Sequence, residues 1–169
     1  MRPGARIKSA IEINQAYAPG LGPFDGYIHK FFRTNRYIGS KDRQAIANYC
    51  YGIWRSYPTL LKLSQELLNN VSMRSMGLIY LRYIEKLSVP KIQELFSGES
   101  YDPHPLSSLE YEALLPDREL NDLTHFPDWL LPQISEKNRL ALNGSAPFDV
   151  RVNEKKTNRQ EMLEYFKAL

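Results

Sequence analysis

Residues 24–55 read FDGYIHKFFRTNRYIGSKDRQAIANYCYGIWR, and this stretch decides the fold class. Phe24, Tyr27, Ile28, Phe31 and Phe32 recur at i, i+3, i+4, i+7 and i+8, the spacing that gathers apolar side chains on one helix face. Pro23 suits the first helical position, where its missing N–H removes no bond. Thr34 to Gly39 interrupts the pattern. Ser40 is placed to cap a second helix, with Asp42 in its first turn, where a carboxylate favours the dipole. Ile46, Tyr49, Cys50, Ile53 and Trp54 then form the apolar side of that helix.

The helical pattern extends in both directions. Upstream, Arg6 to Tyr17 carries Ile7, Ala10, Ile11 and Asn14 at helical spacing, and Pro19-Gly20 ends it. Downstream, Ser56-Tyr57-Pro58 restarts the chain into a helix with Leu60, Leu61, Leu63, Leu67 and Leu68. Another helix is predicted from Met73 to Leu87. Ser88 and Pro90 read as the N-cap and second position of a short helix ending near Phe96. Residues 97–105 are loop, and Ser107 with Glu110 has the spacing of a capping box. That helix ends by Pro116, and Phe126 to Leu131 opens another short one.

The last segment changes period. Phe148 to Asn153 alternates apolar and polar side chains and reads as a strand, with Arg151 and Asn153 sharing one face. Thr157 and Gln160 suggest a capping box for a helix bearing Met162, Leu163, Phe166 and Leu169. The expected class is mainly α: a helical bundle over 1–96, an acidic linker over 97–126, and from 127 to 169 the start of a second, α/β piece. A lone strand and helix leave a backbone edge unpaired, so this last part reads as a domain begun and not completed, the alternative being that the strand pairs within an oligomer.

Composition narrows the function classes. The chain has 169 residues, 43% of them apolar, with 11 Tyr and 7 Phe, enough for a real core. No apolar run approaches the ~18 residues that suggest a membrane span, and no apolar signal core follows Met1, so a cytoplasmic protein without membrane partners is expected. A single cysteine, Cys50, excludes an internal disulfide. With only His29, His104 and His125 beside it, a dedicated zinc site is not expected. The net charge of +3 conceals a pattern. Residues 1–93 hold 14 Lys and Arg against 5 Asp and Glu, whereas 94–136 hold one base, Arg118, against 10 acids. A basic first half suits a polyanionic partner, and the acidic 97–126 segment is an obvious match for it within the chain.

Two stretches resemble a known family. The first is Arg36-Tyr37-Ile38-Gly39-Ser40-Lys41-Asp42-Arg43, preceded by Phe31-Phe32-Arg33 and continuing to Tyr51-Gly52-Ile53-Trp54-Arg55. It resembles the NusB-like helical domain at the N-terminus of RsmB/Sun (Fmu) RNA cytosine-5 methyltransferases. The second joins Phe126-Pro127, Trp129-Leu130, Ala141-Leu142, the run Ala146 to Asn153, Lys156 and Arg159. It is similar to that family's Pro-x-Trp-Leu segment and Arg-Val-Asn strand, in family order. The resemblance implies a NusB-like bundle that handles RNA, most simply ribosomal RNA, on behalf of a catalytic domain this chain does not contain. The family uses S-adenosylmethionine. Its glycine-rich methyl-donor loop and its two active-site cysteines are missing here, so no cofactor and no catalytic residue are expected in this chain. Cys50, between two tyrosines on an apolar helix face, reads as a core residue.

The candidate RNA-binding residues form two groups. Lys30, Arg33, Arg36, Lys41 and Arg43 fall within 14 residues with Tyr37 among them and Asp42 alone opposing them. Bases neutralise phosphates and a ring can stack on an unpaired base; the competing reading is a solvated turn that packs inward, with Asp42 paired to an arginine. Arg151, Asn153, Lys156 and Arg159 make the second group, either an RNA platform ahead of the catalytic part or a simple exposed face. Arg55 suits a helix C-terminus, and Trp129 a packing anchor or a stacking ring. Two other functions compete: a free-standing NusB-like antitermination or ribosome-assembly factor, and a protein scaffold built on the acidic belt.

Overall fold

The computed structural model describes residues 1–18, 20–117, 126–143 and 151–168. They fall into two compact units, Met1–Gln133 and Ile134–Leu169. Among the described residues the regular structure is entirely helical. No helix there is long and apolar enough to cross a membrane.

The first unit contains α1 (Pro3–Ala16), α2 (Phe24–Thr34), α3 (Ser40–Arg55), α4 (Tyr57–Leu68), α5 (Met73–Ile79), α6 (Val89–Leu95) and α7 (Ser108–Leu114). Its organising element is α1. The sequence predicts a helix with one apolar side, but Gly4, Ala5, Ile7, Ser9, Ala10, Ile11, Ile13 and Asn14 are all buried. A helix covered on most sides is a central one, and the small residues let its neighbours approach closely. Ile7 and Ile11 join a core of Ile53, Leu60, Leu63, Met76, Leu78, Ile79 and Ile92 from α3–α6. Ala10 and Ile13 join a second core of Ile28, Phe32, Ile38, Ile46 and Cys50 from α2, α3 and the turn between them. Each buried aliphatic or aromatic side chain contributes about 1.5–3 kcal/mol, so this second core sets the place of the α2–α3 turn.

Several boundaries depart from expectation. Pro23 is the N-cap of α2 rather than its first residue. Gly39, not Ser40, is the N-cap of α3, and no side chain caps that end. The predicted helix over 73–87 is α5 followed by one π-helical stretch, Tyr80–Ile84, in which Glu85 N donates to Tyr80 O at 3.0 Å. Tyr80 opens that stretch; its ring lies against Gly52 of α3 and its hydroxyl donates to Glu85 Oε1 at 2.6 Å. The helix expected over 126–131 is a turn leading to a 3-10 turn at Leu131–Gln133.

Residues 97–117 lie on the bundle. Leu114 is fully buried in the larger core. Arg74 grips Glu110 with two bonds, Nε to Oε1 at 2.7 Å and Nη2 to Oε2 at 3.0 Å, and also donates to Pro105 O at 2.9 Å. Arg82 donates to Leu114 O at 2.9 Å and to Asp117 at 3.0 Å. The capping box of Ser107 and Glu110 is formed.

The second unit contains α8 (Glu136–Asn143) and α9 (Arg159–Lys167). The strand predicted over Phe148–Asn153 is corrected where it can be compared: residues 151–153 are not strand, and 148–150 lie outside the described residues. Alternation alone does not make a strand; a ladder needs a partner, and the described residues supply none. Instead Asn153 turns the chain, its carbonyl accepting from Lys156 N at 2.9 Å and Thr157 N at 3.2 Å. The cap of α9 is also shifted by one residue. Asn158 Oδ1 accepts from Glu161 N at 2.9 Å, so Asn158 and not Thr157 is the cap.

Candidate nucleic-acid interface

The end of α2, the turn 35–39 and the first turn of α3 carry the first basic group. The turn is built to a fixed shape. Asn35 closes α2, both its N–H and its side-chain amide donating to Phe31 O at 3.0 Å. Ile38 N donates back to Asn35 O at 3.2 Å, and the Ile38 side chain is buried in the second core. Arg43 reaches back from α3, donating Nε to Ile38 O at 2.7 Å with its guanidinium 5.8 Å from the Phe32 ring centroid. Its Nε donor is therefore engaged in shaping the turn. Of the five bases proposed from sequence, Arg43 is the half-buried clamp and Lys30, Arg33, Arg36 and Lys41 are exposed. Tyr37 stands 77% exposed, directly before buried Ile38.

The acid among these bases is neutralised from elsewhere. Asp42 accepts from Arg6 Nε at 2.7 Å and from the terminal amine of Met1 at 3.3 Å. Desolvation disfavours its charged form, but those two hydrogen bonds and charges outweigh it and hold the carboxyl below its ordinary value of 3.8. Arg6 lies 36 positions away in sequence, so no local pattern announces this pairing.

Ion pairs engage several of the other bases of the first half, while Lys8, Arg55 and Lys86 are, like the turn's cations, in none among the described residues. Arg2 pairs with Glu99 and Asp102, Arg6 with Asp42, Arg74 with Glu110, Arg82 with Asp117 and Lys91 with Glu94. Among the described residues, no carboxylate lies within ion-pair distance of Lys30, Arg33, Arg36 or Lys41. They flank a helix start whose free N–H groups have no side-chain cap, which adds to the local positive potential. The arrangement can bind anionic groups and offers one aromatic face. It holds no nucleophile with a base to activate it.

The second basic group belongs to the other unit. Arg151, Lys156 and Arg159 are exposed there. Asn153 is a turn residue, its Oδ1 accepting from Lys155 N at 3.1 Å. Turn formation thus explains Asn153 without a ligand. Trp129 is exposed on the turn 128–130, and Arg55 is exposed in the last turn of α3.

Other features of the first unit are structural. Tyr17, Phe24, Tyr27, Trp54 and Tyr57 pack ring against ring at 4.8–5.7 Å, which leaves no space between them for a guest. Tyr51 donates to Asp25, and that bond pushes its phenol up to about 12. Burial pushes the Cys50 thiol up to about 12 as well, so it is protonated at neutral pH. Among the described residues, no group of three or more His, Cys, Asp or Glu is placed to hold a metal ion. An open groove of about 560 Å³ between α6 and α7 is lined by Gln93, Phe96, Pro105, Leu106 and Tyr111. The chain matches no family model, no curated protein and no solved structure.

Proposed function

We propose that the first unit is an RNA-binding module, and that the chain serves as the substrate-positioning N-terminal part of an RsmB/Sun-type RNA cytosine-5 methyltransferase. The observation that carries the RNA reading is the set of unpaired cations between Lys30 and Lys41. Lys30 and Arg33 in α2, Arg36 in the turn and Lys41 at the start of α3 are exposed and have no carboxylate within reach among the described residues. A solvated surface needs scattered charge, not several unneutralised cations in one place. The methyltransferase part rests on the resemblance of residues 31–55 and 126–159 to that family. Its substrate would be ribosomal RNA, with chemistry supplied by a domain beyond this chain.

The acidic belt supports this reading over a protein scaffold. Glu94, Glu99, Asp102, Glu110 and Asp117, five of the belt's ten acids, are paired to bases of the same unit, so that half of its charge is engaged internally. Titration of the full chain with structured ribosomal RNA fragments at low salt tests the proposal. Binding should weaken with salt, with a log–log slope no steeper than about 3 for four phosphates on a single strand. The double variant Arg36→Ala, Lys41→Ala should lose most of it. No binding, or binding indifferent to that double variant, refutes the RNA role of this turn.

A further inference from the structure

We infer that the α2–α3 turn seats an unpaired nucleotide on Tyr37, so that the first unit selects single-stranded or looped RNA over paired duplex; this rests on the RNA reading above. The argument starts from two adjacent residues. Ile38 is 2% exposed and Tyr37 is 77% exposed, so the turn drives one side chain into the core and holds the other out. The mount is not loose. Asn35 bonds to Phe31 O on one side, and Arg43 holds Ile38 O on the other at 2.7 Å. A large ring left in water on a braced backbone has the form of a stacking platform, because little ordering remains to be done on binding.

The surrounding charge says what the ring meets. Arg33, Arg36 and Lys41 flank Tyr37 in sequence and have no carboxylate partner among the described residues, which suits a polyanion. A polyanion that also needs a flat aromatic partner is a nucleic acid with a free base face. In a duplex each base is already stacked on its neighbours, so Tyr37 would have nothing to cover and only phosphate contacts would remain. An acidic protein segment would use the cations equally well but would leave the ring without a role.

Fluorescence anisotropy of the full chain with three labelled RNAs separates these cases: a single strand, a hairpin with an unpaired loop, and a perfect duplex with the same number of phosphates. Tyr37→Ala is expected to weaken single-strand and loop binding by roughly 5- to 100-fold while changing duplex binding by less than about 2-fold. Tyr37→Phe, which keeps the ring, should retain binding. Arg36→Ala with Lys41→Ala should weaken all three. Equal effects of Tyr37→Ala on single strand and duplex, or no effect on either, would overturn the stacking inference and leave the RNA reading standing, provided the arginine–lysine variant still weakens binding. Absence of binding to all three RNAs, or displacement of RNA by polyglutamate at equal concentration, would overturn both.

Discussion

Substituting Gly4 by alanine should destabilise the first unit, although the same change in an open helix position stabilises. Gly4 lies in the first turn of α1 and is buried. A Cβ there would collide with the carbonyl oxygen of Leu95 and would lie 2.6 Å from the Asp102 carboxyl carbon. The Leu95 carbonyl belongs to the end of α6 and cannot rotate aside. Forcing an extra carbon into such a place costs about 1–3 kcal/mol. Asp102 would also have to move, although Ser97 Oγ donates to it at 2.8 Å and Arg2 lies 3.9 Å away. Loosening that hydrogen bond adds about 1 kcal/mol. The helix-propensity gain of alanine over glycine returns at most about 1 kcal/mol. The net loss is about 2 kcal/mol, which lowers Tm by about 7 °C for a unit of this size. Gly26 in α2 is the control: nothing lies within 4 Å of its added Cβ. Gly26→Ala should gain about 0.5–1 kcal/mol and raise Tm by about 2–3 °C. Thermal unfolding followed by circular dichroism reads both. A Gly4→Ala protein that melts at or above the parent temperature would refute the close approach of α1, α6 and the 97–102 loop.

Glu110 gives a pH dependence with a definite sign. Burial raises its carboxyl, but the bonds from Arg74 and Ser107 win and lower it from the ordinary 4.5. In that window the unfolded chain binds the proton more readily, so the stabilisation is complete above the unfolded value and is lost as pH falls through the lowered folded value. Urea unfolding across that range should show a shallower acid decline in Glu110→Gln, which keeps the capping geometry; an identical decline would discount the Arg74 pair. Cys50 is fully buried with its thiol pushed up to about 12. A disulfide-exchange reagent should modify it roughly a thousandfold more slowly in the native chain than in denaturant, because reaction awaits unfolding; rapid native labelling would place it outside the core.

The sequence by itself determined the helical class, and it did so through local rules. The i, i+3, i+4 spacing of Phe24 to Phe32 and of Ile46 to Trp54 needs only the 3.6-residue repeat, and both helices are present. The capping box of Ser107 and Glu110 is likewise a contact between neighbours in sequence. The alternation misled at 151–153 because strand pairing is not local: a strand needs a partner, and these residues have none among the described residues. The central position of α1 was also out of reach, since its burial on most sides depends on where α3, α5 and α6 fall. The candidate interface divides in the same way. The run from Lys30 to Arg43 showed that bases and an aromatic ring were gathered. Only the tertiary structure decided which of them are free. Arg6, brought from another helix, neutralises Asp42, and Arg43 turns inward to Ile38, while Lys30, Arg33, Arg36, Lys41 and Tyr37 are left exposed. Charge can be counted along a chain, but whether a charge is spent depends on which partner folding places within a few ångströms of it.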